Sequence, residues 1–419
     1  MEWSLLIIGI PIMNRYLIGL AGIMLATSAS ASDALTGQLD AVINRAIAEN
    51  RIVGTVVLVA QNGEIVYRRA AGQSDREVGV PMHEDAVFRL ASITKPIVSA
   101  TLMRLVEEGK LTLDDPVTRW LPTFRPQRED GSEPVITLRQ LLTHTSGLSY
   151  RFMEPTGSEY DRLNISDGLD QPGLSLNENL RRLEQAPLVF PPGEGWRYSL
   201  GLDVLGAVIA EASGKTLPQA VQEAVVGPLQ LADTAFVASD PSRLVTPYAD
   251  GDPEPVRMTD GMAVPIWQSA AHFAPSRATN ADSYPSGGAG MVGTAADVLR
   301  FLEVIRSGGE PILAPDTVSA MMQNQVSAQA ETQGPGWGFG YGWAVLNDPD
   351  AAGTPQSKGT IQWGGAYGHS WFVDPVKKLT VVALTNTAFE GMSGAFPTEI
   401  RDAVYEGADW ASETDDTAH

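Results

Sequence analysis

No cysteine occurs anywhere in the 419-residue chain, which removes disulfides, thiolate metal ligands and cysteine nucleophiles together. Histidine is scarce as well, five in all, and none are paired as H-x-x-x-H, so a zinc-type site has few ligands to draw on. Basic residues are outnumbered, 29 Lys and Arg against 50 Asp and Glu, for a net charge of −21. A phosphate backbone or an anionic membrane surface calls for a basic face. Nucleic acid is therefore not an expected partner, and the acidity reads as a solubility feature. The signature G-x-S-x-G is missing: Gly368-His369-Ser370 runs on into Trp371-Phe372, which argues against a strand–elbow–helix hydrolase. Walker and dinucleotide-binding glycine fingerprints are missing too. The segment from Gly334 to Gly342 alternates glycine with proline and aromatics and has no P-loop lysine, so it reads as a closely approached strand, not a phosphate cradle. Chemistry is left to hydroxyls, amines and carboxylates, with no metal and no cofactor expected.

The N-terminus carries an address. Met13-Asn14-Arg15 opens a short basic region, Tyr16 to Leu25 is apolar, and Ala29-Ser30-Ala31 offers small residues for cleavage. That is the layout of a secretory signal peptide, so residues 1–31 are expected to be a leader cut after Ala31, and the protein to be periplasmic or secreted. The earlier apolar run Leu5 to Ile12 has no basic residue before it, which makes Met13 a candidate start. An uncleaved anchor is the alternative, and the only route by which the chain would meet a membrane. Each apolar run is shorter than a span of about 20 residues, and Pro11, Asn14 and Arg15 interrupt their union.

Beyond the leader, Asp33 to Asn50 has helical periodicity. Two β-rich runs, Thr55 to Ala60 and Glu64 to Arg69, flank Asn62-Gly63, a strong hairpin signal. From Leu111 to Gly287 helical pieces are joined by long Pro/Gly/Asp-rich loops, and Thr246 to Pro285 is expected to be mostly loop, a candidate for lining a cleft. Strands return at Tyr341–Leu346, Thr360–Gly364, His369–Val373 and Leu379–Thr385, followed by a helix from Phe396 to Tyr405. The predicted architecture is one sheet built from the two ends of the chain around a helical insertion. An α/β domain takes residues 32–91 and 335–410, a mainly helical domain takes 92–334, and 411–419 is a disordered acidic tail.

Ser92-Ile93-Thr94-Lys95 puts a hydroxyl and an amine on one face of a helix expected from Ser92 to Glu108. A serine hydroxyl becomes a useful nucleophile when an adjacent base takes its proton. A lysine can be that base only if burial or neighbours lower its pKa toward the working pH. The plain alternative is a helix N-cap serine followed by a solvated lysine. Asp114-Asp115, with Pro116 directly after, reads as a turn or cap and not a metal ligand pair. His144 reads as a buried, hydrogen-bonded loop histidine and not a catalytic one.

Phe88-Arg89-Leu90-Ala91 before Ser92, the stretch Leu141-Leu142-Thr143-His144-Thr145-Ser146-Gly147-Leu148, Pro191-Pro192-Gly193 followed by Tyr198-Ser199, and Trp363-Gly364-Gly365 in a late strand stand in a telling order. Together they resemble the serine β-lactamase and penicillin-binding protein superfamily, and most of all the family VIII carboxylesterases with their class C β-lactamase fold. The resemblance covers the chain from about Asp33 to Tyr405. It implies a β-lactamase-like α/β fold with an antiparallel sheet flanked by helices. It also implies Ser92 as the acylated nucleophile, and Lys95 and Tyr198 as the pair that takes its proton and protonates the leaving group. An ammonium beside a phenol lowers the phenol's pKa and the phenol relieves the amine, so either one is expected to be poised near neutral pH. The oxyanion donors implied are the backbone N–H groups of Ser92 and Ala366, the latter just after Trp363, Gly364 and Gly365.

The departures bear on substrate. The β-lactamases have Lys-Thr-Gly where this chain has Trp363-Gly364-Gly365, and Tyr-x-Asn where it has Tyr198-Ser199-Leu200. Trading a cation and a hydroxyl for an indole weakens the hold on an anionic drug and suits apolar acyl or alcohol groups. A short-chain carboxylic ester is thus the expected small-molecule substrate, with slow cephalosporin cleavage as a side activity. The rival readings are a class C-type β-lactamase, a D-amino-acid peptidase, an acyltransferase and a catalytically silent binding protein on the same fold.

Overall fold

The computed structural model describes residues 17–327, 330, 332–408 and 410, with the side chains of its first helix from Asp33 onward. Residues 1–16 of the expected leader and the acidic tail 411–419 lie outside the described residues, and among the described residues no helix is long and apolar enough to cross a membrane.

The first helix, α1, runs over Leu17–Ala48. Asn62 (φ +52°) and Gly63 (φ +87°) then turn the chain between β1 (Gly54–Gln61) and β2 (Glu64–Asp75). Positive φ at both central residues is what a two-residue hairpin turn demands and what Asn-Gly supplies cheaply. Five further strands come from the far end of the chain, with a short β3 (Val80–Pro81) continuing the hairpin: β4 (Trp337–Phe339), β5 (Ala344–Leu346), β6 (Ile361–Gly365), β7 (His369–Asp374) and β8 (Leu379–Thr385). They form one eight-stranded antiparallel sheet in the order β4-β5-β6-β7-β8-β1-β2-β3. The last strand closes on the first, with Thr55 opposite Thr385.

Both faces of the sheet are covered, which is why β1 reads as an unbroken apolar run instead of an alternating one. Val57 and Val59 point into a core shared with α1 and with the C-terminal helix α5 (Ala395–Gly407). Val56, Leu58 and Ala60 point the other way, into a larger core shared with α2 (Thr94–Glu107), α3 (Gly201–Ser213) and α4 (Ala295–Arg306). Each fully buried Val or Leu contributes about 1.5–3 kcal/mol, so a one-residue register slip, which exchanges the two sets, would be costly.

Three details depart from expectation. The stretch Thr246–Pro285 is largely loop, but it also holds two hairpins that were not expected, Tyr248–Ala249 with Val256–Arg257 and Met262–Ile266 with Ser269–Phe273. The second hides its signal because Pro265 interrupts the strand and its turn is Trp267-Gln268, with Trp267 at φ +50° where a glycine would be usual. Helix α4 lies within the insertion by sequence yet packs on β8 and β1, so the α/β layer draws on a third segment. One continuous core joins the sheet to the inserted helices, and nothing apolar marks a seam between them. The glycine-aromatic run does approach closely: a Cβ on Gly342 would stand 2.7 Å from Ser99 Oγ on α2.

Candidate active site

The chain enters Ser92 under tight control. Phe88 and Arg89 pair with Gly293 and Val292, and Leu90 N–H donates to Met291 O at 2.9 Å. His369 on β7 holds the same segment through an Nε2 contact of 2.8 Å to the Arg89 carbonyl. Burial pushes that imidazole down to about 4, so it is neutral and donates through Nε2. Ala91 then adopts φ +46°, a conformation costly for a residue with a Cβ. This strained residue leads through a 3₁₀ turn, Ala91–Ile93, into α2, and the turn presents Ser92 at the floor of a cleft.

Two groups converge on Ser92 Oγ. Lys95 Nζ stands 3.1 Å away and Tyr198 Oη donates to it at 2.7 Å. Lys95 is fully buried, which disposes of the solvated-lysine alternative. Its Nζ donates to Gly288 O at 2.8 Å and lies 4.6 Å from the centre of the Tyr198 ring and 5.2 Å from that of Tyr150. Trp363 does more than wall the cleft: its indole N–H donates to Tyr198 Oη at 3.3 Å.

The expectation that either base could be poised near neutrality needs correction. Burial raises the Tyr198 phenol far above its ordinary value, and its hydrogen bonds with Ser92 and Trp363 only partly offset this. The same burial lowers Lys95 from 10.5 to about 7, against the pull of Asp203 and Asp167. Desolvation penalises whichever form is charged, so it moves an acid and an amine in opposite directions. The amine is the group left near working pH, and when neutral it can accept the Ser92 proton across the 3.1 Å contact.

Gly365 explains how the end of β6 comes so near the nucleophile's turn. A Cβ there would stand 2.5 Å from the Leu90 carbonyl oxygen, so only glycine lets the end of β6 lie against the turn that carries Ser92. Gly364 is equally confined, 2.6 Å from His369 O and 3.0 Å from Met392 Cγ by the same construction. Ser92, Trp363, Gly364 and Ala366 all line one cleft of about 670 Å³. Phe152, Met153, Trp196, Ile266 and Trp267 give it an apolar wall, and a ladder of rings, Tyr198–Tyr150–Phe152–Trp267, climbs it at centroid spacings of 4.9, 4.8 and 6.0 Å.

His144 is buried beside Tyr198, with Nδ1 3.0 Å from Ser199 Oγ. Burial keeps it neutral and it does not touch Ser92. Asp115 ties its turn together by accepting from Thr112 and Arg119. Among the described residues there is no cluster of three His, Asp or Glu that could hold a metal. Sequence reasoning missed Tyr150, Phe152, Trp267, Asp203 and Gly288. A local hint existed in the run Tyr150-Arg151-Phe152-Met153 and in Ser286-Gly287-Gly288-Ala289-Gly290.

A hydroxyl gripped by an amine and a phenol on an eight-stranded antiparallel sheet has clear relatives, and the chain belongs to the Beta-lactamase family, whose model matches residues 39–405. It sits within the serine β-lactamase/penicillin-binding protein superfamily on the family VIII esterase branch. Esterase EstB of Burkholderia gladioli is 58% identical over 375 residues, 88% of this chain and 95% of that one. The solved structure of EstCE1, described as a hydrolase with promiscuous acyltransferase activity, superposes with a TM-score of 0.88 at 50% identity, covering 90% of this chain and 99% of that one. Simvastatin synthase (LovD) of Aspergillus terreus shares the fold at 22% identity, with a TM-score of 0.70 over 88% and 98% of the two chains.

Proposed function

We propose that this protein is a serine carboxylesterase that cleaves short-chain esters through an acyl-enzyme on Ser92. The observation that carries the reading is the single oxygen, Ser92 Oγ, held at once by a buried amine and a phenol at the floor of an apolar cleft. Neutral Lys95 takes the Ser92 proton as the oxygen attacks the ester carbonyl. Tyr198 hands its own proton to the departing alcohol and is restored by the one Lys95 took, so it begins and ends the step a phenol, and the Trp363 indole holds it in line. The backbone N–H groups of Ser92 and Ala366 receive the charge on the carbonyl oxygen. Water then repeats the sequence to release the acid. The similarity to EstB supports the ester as substrate.

The cleft contains no lysine where β-lactamases carry one, so anionic lactams lack a clamp. With Ser92→Ala protein as the blank, kcat/KM should favour p-nitrophenyl butyrate over a chromogenic cephalosporin by at least about 10²-fold, the factor that one lost charge-assisted contact of about 3 kcal/mol gives. A larger value for the cephalosporin would reverse the assignment. Acyl transfer is the second reading, favoured by the aromatic wall and by EstCE1. Adding an apolar alcohol should give transesterified product in competition with acid, and acid alone would confine the enzyme to hydrolysis. We propose also that residues 1–31 are a leader that exports the enzyme, supported by the basic, apolar and small-residue order of that segment. Terminal sequencing of the exported protein should begin at Ser32, and a start upstream of Ala31 would refute the cleavage site.

A further inference from the structure

Asp203 lies in the first turn of α3 and is only 1% exposed. A carboxylate there gains something from the helix N-terminus, but burial of a lone charge costs far more than a helix end returns. Neither of its oxygens closes a hydrogen bond of normal geometry, although the Ser286 hydroxyl and the Gly288 amide face it. Some other charge must account for it.

Gly288 shows where that charge is. A Cβ built on Gly288 would stand 2.6 Å from Asp203 Oδ2, 2.8 Å from Tyr150 Oη and 3.5 Å from Lys95 Nζ. The three groups crowd one point that only a glycine leaves open. The Gly288 carbonyl, on the same residue, accepts from Lys95 Nζ. We propose that Asp203 is the buried counter-ion of Lys95, its charge facing the amine across the gap that Gly288 leaves open. The pair is net neutral either as ammonium and carboxylate or as amine and carboxylic acid, so neither state leaves a lone buried charge.

Other groups facing the pair do not take this part. Burial keeps the Tyr150, Tyr198 and Tyr284 phenols neutral, and His144 neutral as well. Burial and Asp170 push the Asp167 carboxyl up, and its oxygens are committed to the amide N–H groups of Arg151 and Phe152 at 2.6 and 3.2 Å. Arg277 faces Asp203 and favours the carboxylate, but its guanidinium is committed to the carbonyls of Asp170 and Tyr284 at 2.9 and 2.8 Å. Asp203 is thus a positioning residue: it acts through Lys95 and does not touch Ser92.

The inference rests on Lys95 as the base only for its effect on rate, and the test separates the two. The chain has six lysines, so with lysine ¹³C-labelled at Cε the Lys95 resonance is identified by its loss in Lys95→Met. In Asp203→Asn the titration midpoint of that resonance should fall by about one pH unit or more, because an ammonium without its counter-charge gives up its proton sooner. A purely structural role would leave the midpoint in place. The acid limb of kcat/KM should move down by the same amount. An unmoved resonance in folded Asp203→Asn protein overturns the pairing. A moved resonance with an unmoved rate limb upholds the pairing and counts against Lys95 as the base. If Asp203→Asn does not fold, Ser286→Ala, which removes a group favouring the carboxylate, should shift the midpoint the same way by less. No shift there overturns the pairing equally.

Discussion

Lys95→Met protein should turn over a butyrate ester about 10³- to 10⁴-fold more slowly than wild type while melting at a lower temperature. The rate loss follows from removing the general base, an effect of about 10²–10⁴ in most enzymes, here at the upper end because no second base touches Ser92 Oγ in the required form. Among the described residues Tyr198 is the one other side chain hydrogen-bonded to that oxygen, and its burial holds it as a phenol. The melting behaviour follows from what the substitution leaves behind. The methionine stem fills the volume of the lysine, but it leaves the buried Asp203 carboxyl without its counter-charge, and removing one member of a buried pair is destabilising. KM should change little, since Nζ contacts Ser92 and the Gly288 carbonyl and not the body of the cleft. The pH profile adds a sign. Lys95 titrates near 7 in the folded protein, and below that the ammonium has no lone pair to accept the Ser92 proton. Wild-type kcat/KM should therefore rise with pH and reach half its plateau near 7, while the residual rate of the methionine variant should lack that inflection. A variant within about tenfold of wild type would remove Lys95 from the chemistry.

Gly365→Ala should cost about 10²- to 10³-fold in kcat, the scale of losing one oxyanion donor, although the substitution adds a single methyl group and touches no reacting atom. The methyl would stand 2.5 Å from the Leu90 backbone oxygen and 3.0 Å from His369 Cδ2. Neither is the end of a flexible side chain. Leu90 is fixed by its bond to Met291, and His369 by its bond to the Arg89 carbonyl, so β6 must draw back and carry the Ala366 amide with it. A displacement near 1 Å is enough to spoil a preorganised donor. Covalent labelling of Ser92 by a fluorophosphonate should slow in parallel, because the phosphoryl oxygen uses the same pair of amides. Wild-type kcat in a folded Gly365→Ala enzyme would show that Ala366 does not serve the oxyanion.

Much of this was legible because it was local. Asn62-Gly63 announces its turn, the apolar spacing after Ser92 announces α2, and the ordered motifs through Trp363 point to the fold. What stayed hidden was set by contacts between distant segments. Asp203 reads in sequence as an ordinary acid in the first turn of a helix, and only the approach of Gly288 reveals what it faces. The hairpin at Met262–Phe273 is written in five-residue strands with a proline and a tryptophan where turn signals are sought. The choice between Lys95 and Tyr198 was undecidable from composition, because the deciding quantity is burial, and burial acts on both at once with opposite sign.

The closure of β1 on β8 has a consequence for how the enzyme comes to life. Ser92 follows the first strands made, whereas Ala366 and the clamp from His369 onto Arg89 arrive with the last ones. A ribosome-bound chain lacking its final strands would carry the nucleophile, the lysine and the phenol and still be inert. Hydrolysis in this protein thus reports that both ends of the chain have met, a built-in signal of completed folding.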